Sequence, residues 1–111
     1  MENFGLIIFL GESGKQYEFT VYPINNTFNP NISCVYFVTE RTKEFAGGYS
    51  HTKIYVGETA DLSERFNNHH KQDCFSRYNA NCICIYLENS EIKRFEIEQD
   101  LIEYYNTPCN G

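Results

Sequence analysis

The sequence contains no tryptophan, only one methionine and three prolines, and no CxxC pair among its five cysteines. The apolar run Leu6–Leu10 near the start is too short for a signal-peptide core or a membrane span. Glu2 stands where a signal peptide would carry basic residues. These absences argue against membrane insertion and secretion, and we expect a cytoplasmic protein with no membrane contact.

The cysteines lack the even number and the spacing of a disulfide-rich secreted domain. They lie at positions 34, 74, 82, 84 and 109, so we expect free thiols in a reducing compartment. The candidate zinc ligands would be His70, Cys74, Cys82 and Cys84, but their spacing matches no usual ligand pattern. The sequence therefore favours neither a disulfide framework nor a zinc site.

Positive charge is also scarce. Nine Lys and Arg residues stand against 15 acidic residues, which gives a net charge of −6. Proteins that bind nucleic acid unaided usually carry the opposite sign, because phosphates attract Lys and Arg. Any binding to phosphate must therefore depend on a small local basic site, and it should be weak and sensitive to salt.

Aromatic and apolar residues are plentiful, and they mark five strands. Nine Tyr and nine Phe in 111 residues are enough for the core of one domain. The turn-rich segment Gly11–Gln16 predicts a hairpin, and its Gly14-Lys15 pair lacks the spacing of a phosphate-binding loop. Glu40–His51 is predicted to be a loop. The predicted strands are Gly5–Leu10, Tyr17–Tyr22, Ser33–Val38, Lys53–Val56 and Asn81–Leu87.

Two segments carry helix-start signals. Asp61, with Glu64 three residues later, predicts a helix that runs to about Lys71. Ser90 predicts the start of a longer helix that runs to about Tyr105. Together the elements predict a mixed α/β (α+β) fold with a mainly antiparallel central sheet flanked by helices. The extra N-terminal hairpin should extend or cover one sheet edge.

Glu98 occupies a position in the second predicted helix where an apolar residue is expected. At about 100° per residue, Phe95, Ile102 and Tyr105 form one stripe, and Glu98 falls within it. A carboxylate that faces a core is costly unless it is paired or binds a cation. The alternative is a carboxylate at the rim of the helix, paired with Arg65.

Arg65 and His69 are four residues apart, which places them on one face of the first predicted helix. A guanidinium can stabilise charge that develops on a phosphate, and an imidazole can accept or relay a proton. The alternative is a solvated helix face on which Arg65 pairs with Asp61.

Taken in order along the chain, these residues resemble the motifs of the GIY-YIG nuclease superfamily. The similarity covers roughly residues 33 to 110, and the motifs follow strand, strand, helix and later helix. The matching positions are Val35-Tyr36, Tyr55-Val56-Gly57, Arg65 with His69, Glu98, and Asn110 after Pro108.

The resemblance implies a single GIY-YIG-like domain over residues 1–111. Residues 1–32 would be an N-terminal extension and residues 33–110 the nuclease-like core. It also implies an endonuclease that depends on a divalent metal and hydrolyses DNA phosphodiester bonds with water. We expect Tyr36, Tyr55, Arg65 and Glu98 to converge on one concave surface, with a positive or neutral pocket around Arg65. Acidic charge should concentrate on the outer face of the last helix.

The resemblance further implies a role for each residue. Tyr36 or Tyr55 would orient or deprotonate the attacking water, and either could be the base. Glu98 would hold one Mg²⁺ or Mn²⁺ ion. The remaining roles are charge stabilisation by Arg65, proton transfer by His69, a close backbone approach at Gly57 and organisation of the site by Asn110.

Three positions depart from the family pattern. Cys34 stands where the first motif normally begins with glycine, Glu58 follows the second motif, and the connection from Tyr36 to Tyr55 is long. Glu58 would repel a phosphate unless it pairs with a cation or contacts the metal. The alternative function is a catalytically inactive module of the same fold that binds nucleic acid or a protein partner. For the enzyme, a protein partner that supplies DNA targeting would offset the acidic charge.

Overall fold

The computed structural model describes residues 3–63 and 69–111. In these residues five strands form one sheet, in which neighbouring strands pair in the order β1-β2-β5-β3-β4. All four neighbouring pairs are antiparallel, as the sequence predicts. The fold is therefore of the α+β class. The strands are β1 (Leu6–Leu10), β2 (Gln16–Pro23), β3 (Cys34–Lys43), β4 (Tyr49–Thr59) and β5 (Cys82–Leu87).

The N-terminal hairpin extends the sheet beyond β5. Its turn is closed by a hydrogen bond from the Gly11 N–H to the carbonyl of Lys15 (3.0 Å). Gly14 has a φ of +87°, a left-handed conformation that favours glycine. The segment that contains Gly14-Lys15 is thus a hairpin turn followed by a strand, in agreement with the prediction.

The hairpin of β3 and β4 is longer than the sequence indicates. The predicted loop Glu40–His51 is wrong, because both strands continue through it and only residues 44–48 form the turn. Polar and cationic side chains stabilise the added part. Thr42 and Ser50 hydroxyls lie 3.1 Å apart, and the Arg41 guanidinium stacks 3.6 Å from the ring centroid of Tyr49. These contacts replace the apolar alternation that marks a strand in sequence.

Two helices lie in the described residues, α1 (Gln72–Arg77) and α2 (Glu91–Tyr104). The Ser90 hydroxyl accepts the Lys93 N–H (3.3 Å) and caps α2 as predicted. None of the described helices is long and apolar enough to cross a membrane.

The first predicted helix is only partly described. Asp61 accepts the Ser63 N–H (3.2 Å) where a helical turn begins, but residues 64–68 lie outside the described residues. The predicted extension to Lys71 is wrong, because residues 69–71 form a turn before α1. The Lys71 N–H is bonded to the His69 side chain there, which takes the place of a helical bond. The prediction contained no element at the position of α1.

The sheet separates two core clusters. Consecutive β3 side chains alternate between them, with Val35 and Phe37 in the first and Tyr36 and Val38 in the second. The first cluster also contains Ile97 and Leu101 of α2. The second contains Phe75 of α1 and, from the segment that follows β4, Leu62. The α2 helix and the Tyr36 ring therefore lie on opposite faces of the sheet.

Two of the five cysteines are joined, which corrects the prediction of free thiols. Cys74 of α1 and Cys109 form a disulfide with a Cα–Cα distance of 5.9 Å, although they are 35 positions apart. The spacing of the cysteines in the sequence does not predict this disulfide. The other three, Cys34, Cys82 and Cys84, are free and buried. Burial raises the pKa of Cys34 and of Cys84 to about 12, so both stay as thiols.

Candidate active site

A β-bulge brings the two motif tyrosines to one face of the sheet. Tyr36 of β3 pairs with Gly57 of β4, and Val38 pairs with Tyr55. The register then shifts, which leaves Ile54 as an extra residue in β4. Ile54 and Tyr55 consequently share the second core cluster with Tyr36, and the two tyrosine ring centroids are 6.1 Å apart.

Gly57 provides the space that the two rings occupy. A Cβ atom at this position would lie 2.6 Å from both Cζ and the phenolic oxygen of Tyr36. It would also lie 2.9 Å from Cε2 of Tyr55. Real Cβ atoms do not approach heavy atoms so closely, so any other residue would displace a ring. The role of Gly57 is therefore close packing under the phenols.

His69 is buried against both tyrosines. Its Nε2 lies 2.7 Å from the phenolic oxygen of Tyr36, and its ring centroid is 5.2 Å from that of Tyr55. The Lys71 N–H donates to Nδ1 of the same ring (3.0 Å). In a neutral imidazole this bond leaves the proton on Nε2, because Nδ1 is the acceptor. His69 therefore donates a hydrogen bond to the Tyr36 oxygen.

The C-terminal segment runs along the outer edge of β4. The Asn110 side chain accepts the Val56 N–H (2.8 Å) and donates to the Val56 carbonyl (2.9 Å). The Cys109 N–H donates to the carbonyl of Ile54 (3.0 Å). Asn110 thus fixes the backbone between Tyr55 and Gly57.

Thr107 is a site-supporting residue that the sequence did not reveal. Its buried hydroxyl donates to Oδ1 of Asn110 (2.6 Å) and so fixes the orientation of the amide. The sequence indicates no role for His70 other than that of a candidate zinc ligand. It is exposed, and its ring stacks on His69 with a centroid distance of 4.8 Å. No pattern marks either residue, because both roles arise from how the turn and the C-terminal segment fold back.

The predicted site is brought together in part. Tyr36, Tyr55, Gly57 and His69 form one cluster, whereas Arg65 lies outside the described residues.

Glu98 lies on α2, which packs on the opposite face of the sheet and contacts β4. It is half-buried, and its carboxylate accepts a hydrogen bond from the Gln99 amide (3.4 Å).

The apolar stripe predicted around Glu98 holds at Ile102 and Tyr105, which pack against the first core cluster, but it is wrong at Phe95. Phe95 is 58% exposed, and the buried side chains of α2 are Arg94, Ile97 and Leu101. The positions of apolar residues in the sequence do not predict the buried face of α2 here, because Arg94 is buried while Phe95 faces solvent. Glu98 is half-buried, with the buried Arg94 four residues before it and the buried Leu101 three residues after it on the same side of the helix.

Arg94 resolves the expected repulsion by Glu58. The arginine is 3% exposed, and its Nε donates to a carboxylate oxygen of Glu58 (2.9 Å). Its Nη1 donates to the backbone carbonyls of Glu88 (3.1 Å) and Asn89 (2.9 Å). The negative charge beside the second motif is therefore balanced by a buried cation. No sequence pattern marks this pair, because the two partners are 36 positions apart.

A hard cation at Glu98 would have few protein ligands. Among residues 3–63 and 69–111, no three His, Cys, Asp or Glu side chains are grouped for metal binding. Mg²⁺ commonly keeps several waters and takes one or two carboxylates together with substrate phosphates. A single half-buried carboxylate fits that mode of binding, whereas it does not fit a closed structural metal site.

Comparison with protein-family models, with curated proteins and with solved structures finds no match to this chain. The function must therefore be argued from the site itself, since fold alone does not define chemistry.

Proposed function

We propose that the chain is a GIY-YIG-type endonuclease that depends on a divalent metal and hydrolyses DNA phosphodiester bonds. The observation that carries this proposal is the hydrogen bond between His69 and Tyr36, within a cluster that includes Tyr55 and Gly57. A histidine beside a phenol oxygen can relay a proton to or from it, as general acid–base catalysis requires. The motif order along the chain supports the same class.

In this proposal Tyr36 is the base, because its oxygen accepts the His69 bond. Tyr36 takes a proton from the attacking water, whose oxygen bonds to phosphorus while the bond to the leaving oxygen breaks. Tyr36 is fully buried and Tyr55 is 8% exposed. In this proposal Tyr55 positions the attacking water.

The resemblance assigns Arg65 and Glu98 to the same site, although α2, which carries Glu98, packs on the sheet face opposite the Tyr36 ring. The Arg65 guanidinium stabilises charge on the non-bridging phosphate oxygens. Glu98 would hold Mg²⁺ or Mn²⁺, which would supply Lewis-acid stabilisation of the leaving oxygen. Pairing of Glu58 with Arg94 removes a free carboxylate from beside the second motif, which favours phosphate entry.

The test is strand scission of a panel of branched, single-stranded and duplex DNA, with Mg²⁺, Mn²⁺ or chelator, read on a denaturing gel. Tyr36→Phe and Glu98→Gln should each lower cleavage by at least about two orders of magnitude. The controls are Tyr78→Phe and Glu103→Gln, which make the same chemical changes at exposed positions and should cleave like the parent. Cleavage that survives both site changes would rule out this mechanism.

Glu98→Gln separates a functional carboxylate from a structural one. The free energy of unfolding should stay the same or rise. Partial burial removes water from the charged carboxylate, and this costs more free energy than it does for a neutral amide. A variant that melts markedly lower yet cleaves normally would show that Glu98 is half of a structural ion pair.

The second candidate is a catalytically inactive module of the same fold that binds nucleic acid or a protein partner. Burial of both phenols favours it, because a base must reach the attacking water. In this case the DNA panel should show retention in a gel-shift assay without scission, or no DNA binding at all. The same panel therefore discriminates the two candidates.

A further inference from the structure

Two large apolar side chains stand exposed on the outer face of α2. Ile92 is 73% exposed and Phe95 is 58% exposed, and they are three residues apart on adjacent turns. They line a groove of about 330 Å³ together with Glu58, Glu91 and Glu96. The groove is thus lined by two apolar side chains and three carboxylates.

The surroundings of this groove are acidic. Phe95 and Glu96 also line a larger concavity of about 840 Å³, whose charged lining residues are four acidic side chains against two lysines. Arg94 does not offset this charge at the surface, because it is buried and paired with Glu58. The charged lining residues of the concavity are Glu88, Glu96, Asp100, Glu103, Lys15 and Lys93.

We propose that this groove docks a basic amphipathic segment of another protein. Apolar side chains of the segment pack on Ile92 and Phe95, while its Lys or Arg side chains face Glu91 and Glu96. An exposed apolar pair requires an apolar partner surface, and the carboxylates determine the sign of its charge.

Charge also excludes two other occupants. Nucleic acid would bring phosphates against Glu91 and Glu96, and like charges brought together at an interface are unfavourable. A second copy of this chain would present the same acidic groove, so a symmetric pairing through α2 would place carboxylates against carboxylates. A basic protein segment satisfies both the apolar floor and the acidic rim. This inference is independent of whether the chain cleaves DNA.

The test uses a fluorescein-labelled peptide of about 14 residues, with Leu at helical spacing on one face and Lys on the other. Its binding is measured by fluorescence anisotropy at about 0.15 M salt, which screens distant charges. We expect saturable binding by the unmodified protein. Phe95→Ala with Ile92→Ala, and separately Glu91→Lys with Glu96→Lys, should each weaken binding at least about tenfold.

The matched controls change the same residue types at another exposed place. Phe45→Ala, in the β3–β4 turn, and Glu18→Lys with Glu44→Lys should keep binding within about threefold of the parent. A peptide with Glu in place of Lys should not bind. The proposal is overturned if the parent does not bind the basic peptide. It is equally overturned if the remote variants lose as much affinity as the groove variants, or if the acidic peptide binds as well.

Discussion

The Asn110 amide makes two hydrogen bonds to the backbone of Val56, which lies 54 positions earlier in the chain. It satisfies both the N–H and the carbonyl of a residue at the outer edge of β4, where no further strand follows in the described sheet. Asn110→Ala removes both bonds and should lower the free energy of unfolding by about 1–3 kcal/mol, as read from urea denaturation. Asn106→Ala, at an exposed position, is the control and should stay within about 0.5 kcal/mol of the parent. An equal loss in both variants would refute the role assigned to Asn110.

The tautomer of His69 can be measured directly. The Lys71 N–H occupies Nδ1, so the neutral ring should carry its proton on Nε2 and donate it to Tyr36. Long-range ¹H–¹⁵N correlation spectra near neutral pH should show the Nε2–H form, and Tyr36→Phe should shift the Nε2 resonance. A spectrum of the Nδ1–H form would contradict the donor role of His69.

Gly57→Ala should disturb the phenol cluster. The added methyl group would meet the Tyr36 ring at 2.6 Å, so ring or backbone has to move. We expect a loss of about 1–3 kcal/mol in unfolding free energy, measured by thermal or urea denaturation. Gly111→Ala is the matched control, because its Cβ would come no closer than 4.0 Å to the Pro108 carbonyl. Equal stability of the two variants would show that Tyr36 does not pack on Gly57.

Asp100 joins α2 to the N-terminal hairpin and should make stability depend on pH. It accepts the Ser13 N–H (2.8 Å), the Ser13 hydroxyl (2.7 Å) and the Tyr17 hydroxyl (2.8 Å). Burial raises the pKa of its carboxyl, but the bonds from Ser13 and Tyr17 outweigh burial and lower the pKa below 3.8. The ionised form is therefore stabilised by folding. That stabilisation is present above the unfolded-state pKa and is lost as pH falls through the folded-state pKa.

Asp100→Asn should accordingly cost about 1–2 kcal/mol near pH 7, measured by urea denaturation. The difference from the parent should shrink as the pH falls below 3.8. Ser13→Ala, which removes one donor, should reproduce part of the loss. A difference that is the same at acidic and neutral pH would mean that the charge of Asp100 plays no part.

The Cys74–Cys109 disulfide should contribute substantially to stability. It closes a loop of 35 positions, and cross-linking a loop of that length is worth about 3–4 kcal/mol in the chain-entropy model. Addition of a reductant should lower the melting temperature of the parent and leave the Cys74→Ala, Cys109→Ala double variant unchanged. Alkylation of denatured protein without reductant should label the three free cysteines, and with reductant all five. Five labelled cysteines without reductant would contradict the bond.

The sequence predicts an element correctly where the residues of that element alone carry the signal. The continuous apolar run at the start of β3 and the serine cap of α2 are local signals, and the structure has a strand and a helix there. Five strands, of which the first two form the N-terminal hairpin, followed from such signals together with turn residues.

Contacts between residues that are far apart in the chain could not be predicted from the sequence. The buried position of Arg94 depends on Glu58, and the disulfide joins α1 to the C-terminal segment. The strand extension through Glu40–His51 relies on hydroxyl and cation–ring contacts across the hairpin. The ion pair, the disulfide and the contacts across the hairpin leave no repeating pattern in the sequence. The bulge at Ile54 likewise depends on pairing, and it sets the direction of Tyr55.

The two outer strands of the sheet are protected unequally, which bears on aggregation. Asn110 and Cys109 satisfy backbone groups along β4. On the other side β1 pairs only with β2 in the described sheet, and its segment Leu6–Leu10 contains neither a charge nor a proline. Tyr105 accepts the Leu10 N–H (3.1 Å) and blocks one end of that strand. Concentrated protein should therefore self-associate first by strand addition at β1, and a single lysine at Ile8 should keep it monomeric.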